Sequence, residues 1–275
     1  MTFSIAARST DGTQLGVAVA SKFLAVGAAV PAAASGVGAI ATQAVANLAY
    51  RPRGLALLAA GADAASTVAA LVAADPASAS RQVGVVATTG DGAGFTGADC
   101  HDWAGGLSGD GYAIQGNVLV GPEVLEALRE AFTTSDPGAP LARRLLAALA
   151  AGDAAGGDRR GRQSAALQVV TPGGGYGGGS DQLVDLRTDD HPDPLAELAR
   201  LLDLHHLYFG RPDPDTLLPL TGNLSREVAA LLAGRGYPGP DVEHDLASWA
   251  GVENVEERLV PGSIDPVVLA LLRAR

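Results

Sequence analysis

The second residue of the chain is a threonine, a residue type that can act as a nucleophile when it stands at an N-terminus. Its small side chain allows Met1 to be removed, which would leave Thr2 with a free α-amine. Such a threonine attacks a carbonyl through its hydroxyl, and its own amine, with an ordinary pKa of roughly 7.7 to 8.0, serves as general base. Many proteins without this chemistry also begin Met-Thr. Thr2 is therefore a candidate nucleophile that needs support from its surroundings.

The first support comes from Ser21 and Lys22, which end a predicted β-hairpin. Residues 3–8 and 15–20 read as two strands joined by a turn at 9–12, so the second strand ends beside Thr2. A lysine ammonium there would lower the pKa of the amine and stabilise negative charge developing on the hydroxyl. Lys22 is the only lysine beside 18 arginines, and the alternative is a surface charge at a strand end. Side chains alternate along a strand, so only one of Ser21 and Lys22 faces Thr2.

Amide hydrolysis also needs hydrogen-bond donors for the oxyanion, and Gln115 and Asn117 are the candidates. They flank a glycine among residues typical of a strand. The alternative is a polar turn that bonds to its own backbone.

Further polar residues are predicted to line the same cleft as substrate-binding groups. Asp158, Arg160 and Ser164 precede a predicted strand, where a carboxylate can hold the α-amine and an arginine can bind a substrate carboxylate through two hydrogen bonds. Gln43 and Asn47 follow the predicted strand at 36–42. An arginine-rich, solvated loop is the alternative for the first three.

The elements that must position these residues alternate between strands and pairs of helices. Strands are predicted at 36–42, 83–88, 94–96, 165–171 and 182–187, and helices at 52–61, 63–74, 123–132, 141–151 and 193–207. Hairpins with helix pairs grouped between them favour antiparallel sheets covered by helical layers. The predicted fold class is therefore α+β, a four-layer αββα sandwich.

A small all-α domain is predicted at the end of the chain. We expect the first domain to cover 1–210, a proline- and acid-rich linker 211–220, and a three-helix domain 221–275. Its helices are expected at 224–232, 242–250 and 266–272.

Composition excludes several classes of function. The net charge of −11 disfavours nucleic acid as a partner, and the apolar stretches are too short for a membrane helix. The histidines lack zinc-site spacing, so neither a metal nor a cofactor is expected. The lone Cys100 cannot form an intramolecular disulfide and reads as inert packing. No secretory signal is evident, so a cytoplasmic location is expected.

Several segments resemble the bacterial domain-of-unknown-function family 1028 through about residue 207. They are listed in chain order: residues 1–8, 20–27, 36–44, 112–117, 156–166 and 189–194. The family is related to the Ntn hydrolases, enzymes with an N-terminal nucleophile on an αββα sandwich. The resemblance thus implies the four-layer fold and makes Thr2 the expected nucleophile.

The tail resembles a peptidoglycan-binding module that is sometimes appended to this family. The resemblance is carried by residues 235–240, 249–254 and 264–266. Three roles are open for the tail: binding of a glycan, self-association into a homo-oligomer, or covering of the cleft.

Two functions remain in competition. The leading hypothesis is hydrolysis of a non-peptide C–N bond in a small polar amide, with Thr2 attacking and Asn117 or Gln115 holding the oxyanion. The alternative is a non-catalytic protein of the same fold whose C-terminal module binds a glycan or a protein partner.

Overall fold

The computed structural model describes residues 2–274, which form two compact units. The first unit ends at Arg200 and the second begins at Leu201, so the division falls inside a helix, Pro194–Phe209. Each unit has its own hydrophobic core.

The larger sheet of the first unit is six-stranded and antiparallel throughout. Its strands, in chain order, are β1 (Thr2–Arg8), β2 (Leu15–Ser21), β7 (Gly105–Gly109), β8 (Tyr112–Asn117), β9 (Ser164–Val170) and β10 (Gln182–Thr188). Their order across the sheet is β10-β9-β2-β1-β8-β7. β1 and β2 are buried along almost their whole length because layers cover both faces of the sheet.

A four-stranded antiparallel sheet packs against the inner face of the first. Its strands are β3 (Pro31–Ala34), β4 (Gly38–Ala44), β5 (Arg81–Ala87) and β6 (Ala93–Thr96), in that order. Contacts join β4 and β5 to β1, β2 and β8. Between the sheets lie mainly alanine and valine, such as Ala6, Val17, Ala39 and Val86. Small side chains let the two sheets approach closely.

Helices cover the outer faces of both sheets. The helices of the first unit are α1 (Val26–Ala29), α2 (Tyr50–Ala59), α3 (Ala64–Ala73), α4 (Glu123–Thr134), α5 (Leu141–Ala154) and the start of α6 (Pro194–Phe209). α2 and α3 pack on the four-stranded sheet, whereas α4 and α5 pack on the six-stranded one. α3 begins at a predicted cap, where the Asp63 carboxylate accepts the Ser66 N–H at 2.7 Å.

The predicted α+β class with antiparallel sheets and helical layers agrees with this architecture. The predicted helices and hairpins lie within a few residues of the observed ones. The sequence did not reveal β3 or β7, whose alanine- and glycine-rich residues lack the β-branched signal of a strand. The relationship to the Ntn hydrolases stays a prediction.

The second unit contains the three predicted helices at the end of the chain. They are α7 (Gly222–Ala233), α8 (Val242–Glu253) and α9 (Pro266–Ala274), accompanied by a short β11–β12 pair (Leu218–Pro219 and Ser263–Ile264). Leu207 and Tyr208, in the last turns of α6, pack on the core of this unit. The compact unit therefore begins upstream of the linker predicted at 211–220. The domain boundaries at 210 and 220 remain predictions.

No helix within residues 2–274 is both long enough and apolar enough to span a membrane.

Candidate active site

Four polar residues form a row across the inner face of the six-stranded sheet, at one end of its central strands. The strand register pairs Ser164 with Ser21, Ser21 with Thr2, and Thr2 with Asn117. Residues paired across neighbouring strands project to the same face, so their side chains all lie between the sheets. We call Ser164, Ser21, Thr2 and Asn117 the polar row.

Thr2 occupies the first position of β1 and is nearly buried, with 7% of its surface exposed. Its Oγ1 lies 3.0 Å from Ser21 Oγ, within hydrogen-bond distance. Its carbonyl oxygen accepts a hydrogen bond from Gln43 Nε2 at 3.0 Å. The hairpin prediction is thus confirmed at the level of register, and Ser21 rather than Lys22 is the residue that faces Thr2.

Asn117 is held by an amide network that comes from the facing sheet. Gln82 Oε1 accepts hydrogen bonds from Asn117 Nδ2 at 3.0 Å and from Gln43 Nε2 at 2.8 Å. Gln82 Nε2 in turn donates to the carbonyl oxygens of Gly116 and Gly105. These bonds fix which end of the Gln82 amide is oxygen and thereby orient the Asn117 amide.

Gln115 lies one step deeper in the sandwich than Asn117, which separates the two predicted oxyanion donors. Its Nε2 donates to Ser4 Oγ at 2.6 Å, and Ser4 Oγ donates to Gln43 Oε1 at 2.6 Å. Gln115 Oε1 is buried and without a partner among residues 2–274. Because the Gln115 amide points into the interior and bonds there, Asn117 is the better placed of the two as an oxyanion donor.

Asp158 contacts the segments that follow β2 and β8. Its Oδ2 accepts the Lys22 N–H at 2.8 Å, and its Oδ1 accepts the Arg160 N–H at 2.8 Å. Its backbone forms an isolated bridge with Leu119, just beyond the end of β8. Asp158 thus contacts the extensions of both strands that flank Thr2, through its carboxylate on the β2 side and through its backbone on the β8 side. Arg160 stays near it, with its guanidinium 3.4 Å from Asp158 Oδ2.

The side chain of Lys22 does not join this group. Its side chain is exposed, and its Nζ donates to the carbonyl oxygen of Arg162 at 3.2 Å. The reason is the alternation of side chains along β2, which turns Ser21 inward and the next residue outward. The ammonium therefore has no place in the chemistry that we propose below.

Ser164 and Asn47, both predicted to bind substrate, have structural partners. Ser164 Oγ donates to the Phe23 carbonyl and accepts the Val26 N–H, so it fastens the segment that follows β2. Asn47 Nδ2 donates to Asp75 at 2.8 Å, and Asn47 Oδ1 accepts the Ala49 N–H at the start of α2. These contacts favour a role in holding loops for both residues.

Sequence reasoning missed Gln82 and Ser4, which complete the network. Both are polar residues inside strands that are otherwise apolar or small, and this is the signal that could have identified them. Ser4 follows Thr2 on the same face of β1, which strand alternation encodes, whereas the position of Gln82 opposite Asn117 depends on how the two sheets stack, which no local pattern encodes.

Neither thiol nor metal chemistry gains support from the described part of the chain. Burial raises the pKa of the Cys100 thiol, which keeps it protonated, and its Sγ donates to the Arg81 carbonyl. Across residues 2–274, no three histidine, cysteine or acidic side chains come together as a metal site.

The strands around Thr2 end in unusual backbone conformations. Ala25 follows β2, Ala44 ends β4 and Val118 follows β8, and all three have positive φ angles, of 53°, 67° and 52°. Non-glycine residues rarely adopt this region, and a β-branched residue such as valine does so least readily. Such residues concentrate at functional sites, because surrounding contacts must hold them in place.

A family model described as "Family of unknown function (DUF1028)" matches residues 2–198. The chain belongs to this family. A second model, "Putative peptidoglycan binding domain", matches residues 208–272. The resemblances of both parts of the chain are thereby confirmed.

A solved structure supports the assignment to DUF1028. The chain is similar to protein SPO2555 from Silicibacter pomeroyi, a DUF1028 protein, with 30% sequence identity and a TM-score of 0.67. The alignment covers 82% of this chain and 92% of that one. Among curated proteins, none matches this chain.

Proposed function

We propose that the protein is an N-terminal nucleophile hydrolase that cleaves a non-peptide C–N bond in a small amide. The observation that carries the proposal is the position of Thr2. It is the first residue of β1, a central strand, and its Oγ1 lies 3.0 Å from Ser21 Oγ. Met1 lies outside the described residues, and the proposal requires its removal so that Thr2 has a free amine.

The reaction would proceed in two stages. The Thr2 hydroxyl attacks the amide carbon and passes its proton to the Thr2 amine, while the carbonyl oxygen takes up the negative charge. The C–N bond then breaks, the leaving nitrogen receives that proton, and the acyl group stays on Oγ1 as an ester. Water, deprotonated by the same amine, cleaves the ester and releases a carboxylic acid and free Thr2.

Neighbouring residues have distinct tasks in this scheme. Ser21 orients the hydroxyl of Thr2, and Asn117 donates to the oxyanion in an orientation fixed by Gln82. Asp158 holds the α-amine in this scheme, since its carboxylate accepts the N–H of Lys22, the residue after the Ser21 that pairs with Thr2. Arg160 is a proposed contact for a substrate carboxylate. Gln43 supports the backbone of Thr2.

The test begins with the intact mass of the purified protein, in which we expect Met1 to be absent. Thr2→Ala should then lower amide hydrolysis by at least about 10³-fold, because the nucleophile is gone, whereas Thr2→Ser should retain measurable activity. Thr67→Ala removes a buried threonine hydroxyl in α3 and is the matched control. Retention of Met1, or equal activity of Thr2→Ala and wild type, would remove Thr2 from the mechanism.

The family match over residues 208–272 favours a second, separate function for the end of the chain. We propose that this segment binds a glycan, as the description of its family indicates. Sedimentation of the full chain with purified peptidoglycan tests this. Equal sedimentation with and without the polymer would contradict it.

A further inference from the structure

Large apolar side chains are exposed at few places in the first unit, and most of these places adjoin the candidate site. Among its described residues, six such side chains are 45% to 69% exposed: Phe23, Leu24, Val45, Leu48, Val120 and Tyr176. All but Tyr176 lie in segments that directly follow β2, β4 and β8. We call these five residues the apolar rim.

The three strands before the apolar rim are those that carry the neighbours of Thr2. β2 ends at Ser21, β8 ends at Asn117, and Gln43 stands one residue before the end of β4. All three residues contact or pair with Thr2. The segments of the rim therefore leave the sandwich at the end where Thr2 lies.

The backbone of the rim is anchored, so its exposed side chains do not belong to loose loops. The Phe23 carbonyl accepts a hydrogen bond from Ser164 Oγ. The Val45 N–H donates to the Ser80 carbonyl at 3.2 Å, and the Val120 N–H donates to that of Gly157 at 3.3 Å. Exposed apolar side chains on three anchored segments at one end of the sandwich favour a binding surface there for a ligand or partner.

The two amides that approach Thr2 and Asn117 from the facing sheet are already engaged. Gln43 and Gln82 are joined by a hydrogen bond, and both amides are buried and engaged on their oxygen and nitrogen atoms. Satisfied amides offer little to a polar substrate, because each new bond would replace an existing one. Recognition must then depend mainly on the apolar surface.

We infer that the substrate of Thr2 carries an apolar group next to the amide that is cleaved, and that this group packs on the apolar rim. The inference rests on the proposed function and revises one part of the sequence prediction, which expected a small polar amide. Polar recognition is thus limited to the amide itself and to Arg160.

The experiment measures kcat/KM for two series of amides. In the first, anilides, the acyl chain grows in length, and in the second, alkylamides, the chain on the amine side does. In at least one series, wild type should gain about fourfold per methylene until the rim is covered. Phe23→Ser and Leu24→Ser should flatten this gain while leaving the value for the acetyl compound within about twofold. Tyr176→Ser is the matched control, since its exposed aromatic ring lies in the β9–β10 loop, at the opposite end of the sheet, and it should keep the full gain.

The outcomes separate this inference from the proposed function. Hydrolysis that depends on Thr2 but gains nothing with chain length in either series overturns the inference alone. If no compound is hydrolysed, the proposed function fails, and binding of hexanoyl and acetyl anilides to the full chain tests the rim by itself. Equal affinities would then overturn the inference too. A change in oligomeric state in the rim variants, with an unchanged gain per methylene, would identify the rim as a protein interface and also overturn it.

Discussion

Gln82 illustrates how a single buried amide controls the candidate site. Replacing it by leucine removes the acceptor of the buried Asn117 Nδ2 and one of the acceptors of Gln43 Nε2, and it also removes the donor to the Gly116 and Gly105 carbonyls. We expect Gln82→Leu to lower the free energy of unfolding by about 2 kcal/mol or more, measured by urea denaturation. Gln168→Leu is the control, because within residues 2–274 the amide of Gln168 donates only to the Gln182 side chain, at 3.4 Å. Equal losses in the two variants would contradict the role of the network.

Gly84 provides a second prediction at the scale of one residue. A Cβ at this position would lie 1.9 Å from Gln115 Oε1, so Gly84→Ala must displace the Gln115 amide from between the sheets. We expect a loss of about 1 to 3 kcal/mol in the free energy of unfolding. Gly94, its partner on β6, has room for a Cβ, with the nearest atom outside its chain neighbours at 3.5 Å. Gly94→Ala should therefore cost less in the same denaturation experiment.

These residues mark what the sequence could and could not reveal about the site. Thr2 was a candidate because of its place at the start of the chain, Ser21 because a hairpin is a local pattern, and Asn117 because its amide stands among residues typical of a strand. Gln82 and the close approach at Gly84 depend on the stacking of two sheets, whose strands are far apart in the sequence. The exposure of Lys22 follows from strand alternation, although the sequence alone did not decide whether Lys22 or Ser21 faces Thr2.

At the scale of elements, Asp75 joins the segments around α2, α3 and β5. Its carboxylate accepts hydrogen bonds from Asn47 Nδ2, from the Ala77 N–H and from Arg81 Nε. These bonds, with that from Asn47 the largest cause, hold the pKa of Asp75 well below its usual value of 3.8. The unfolded chain therefore binds this proton more readily than the folded one, so stability rises with pH in this range.

We expect Asp75→Asn to destabilise the protein at pH 7 and to do so less at pH 3. The stabilisation from the charged carboxylate is complete above the usual carboxyl pKa and is lost as the pH falls through the lower pKa of the folded state. Urea denaturation of wild type and variant at both pH values measures the difference. Asp99→Asn, which makes the same change at an exposed carboxylate, is the control. A difference for Asp75→Asn that does not depend on pH would refute the assignment.

Local signals placed most elements correctly, since caps and turns such as Asp63 and residues 9–12 carry their own information. They failed for β3 and β7, where alanine and glycine give no strand signal. Those two strands are fixed instead by pairing with β4 and β8. Their existence is a consequence of tertiary structure.

At the scale of the whole molecule, each unit contains one tryptophan. Trp103 lies in the first unit beside Gly105, and Trp249 is buried in the core of the second unit with Leu246 and Val268. Fluorescence of Trp103→Phe and Trp249→Phe therefore reports on one unit at a time. The two cores are separate, so we expect different urea midpoints for the two reporters.

The slope of each transition adds a second criterion. The first unit is much the larger and exposes more surface on unfolding, so the curve reported by Trp103 should have the greater m value. Circular dichroism of both variants at zero denaturant controls for altered folding. Coincident curves with one slope would mean that the chain unfolds as a single cooperative unit.

The left-handed residues at the strand ends affect how the protein could be stabilised by engineering. Glycine at Ala25, Ala44 or Val118 would remove the clash between Cβ and the following carbonyl, which costs roughly 1 to 2 kcal/mol at such angles. It would also free the backbone in the unfolded chain and so return part of that gain. A selection for thermostability alone would therefore be expected to accumulate changes here first. Each one would make the loops beside Thr2 more compliant, so under the proposed function a more heat-resistant variant would hydrolyse its amide more slowly.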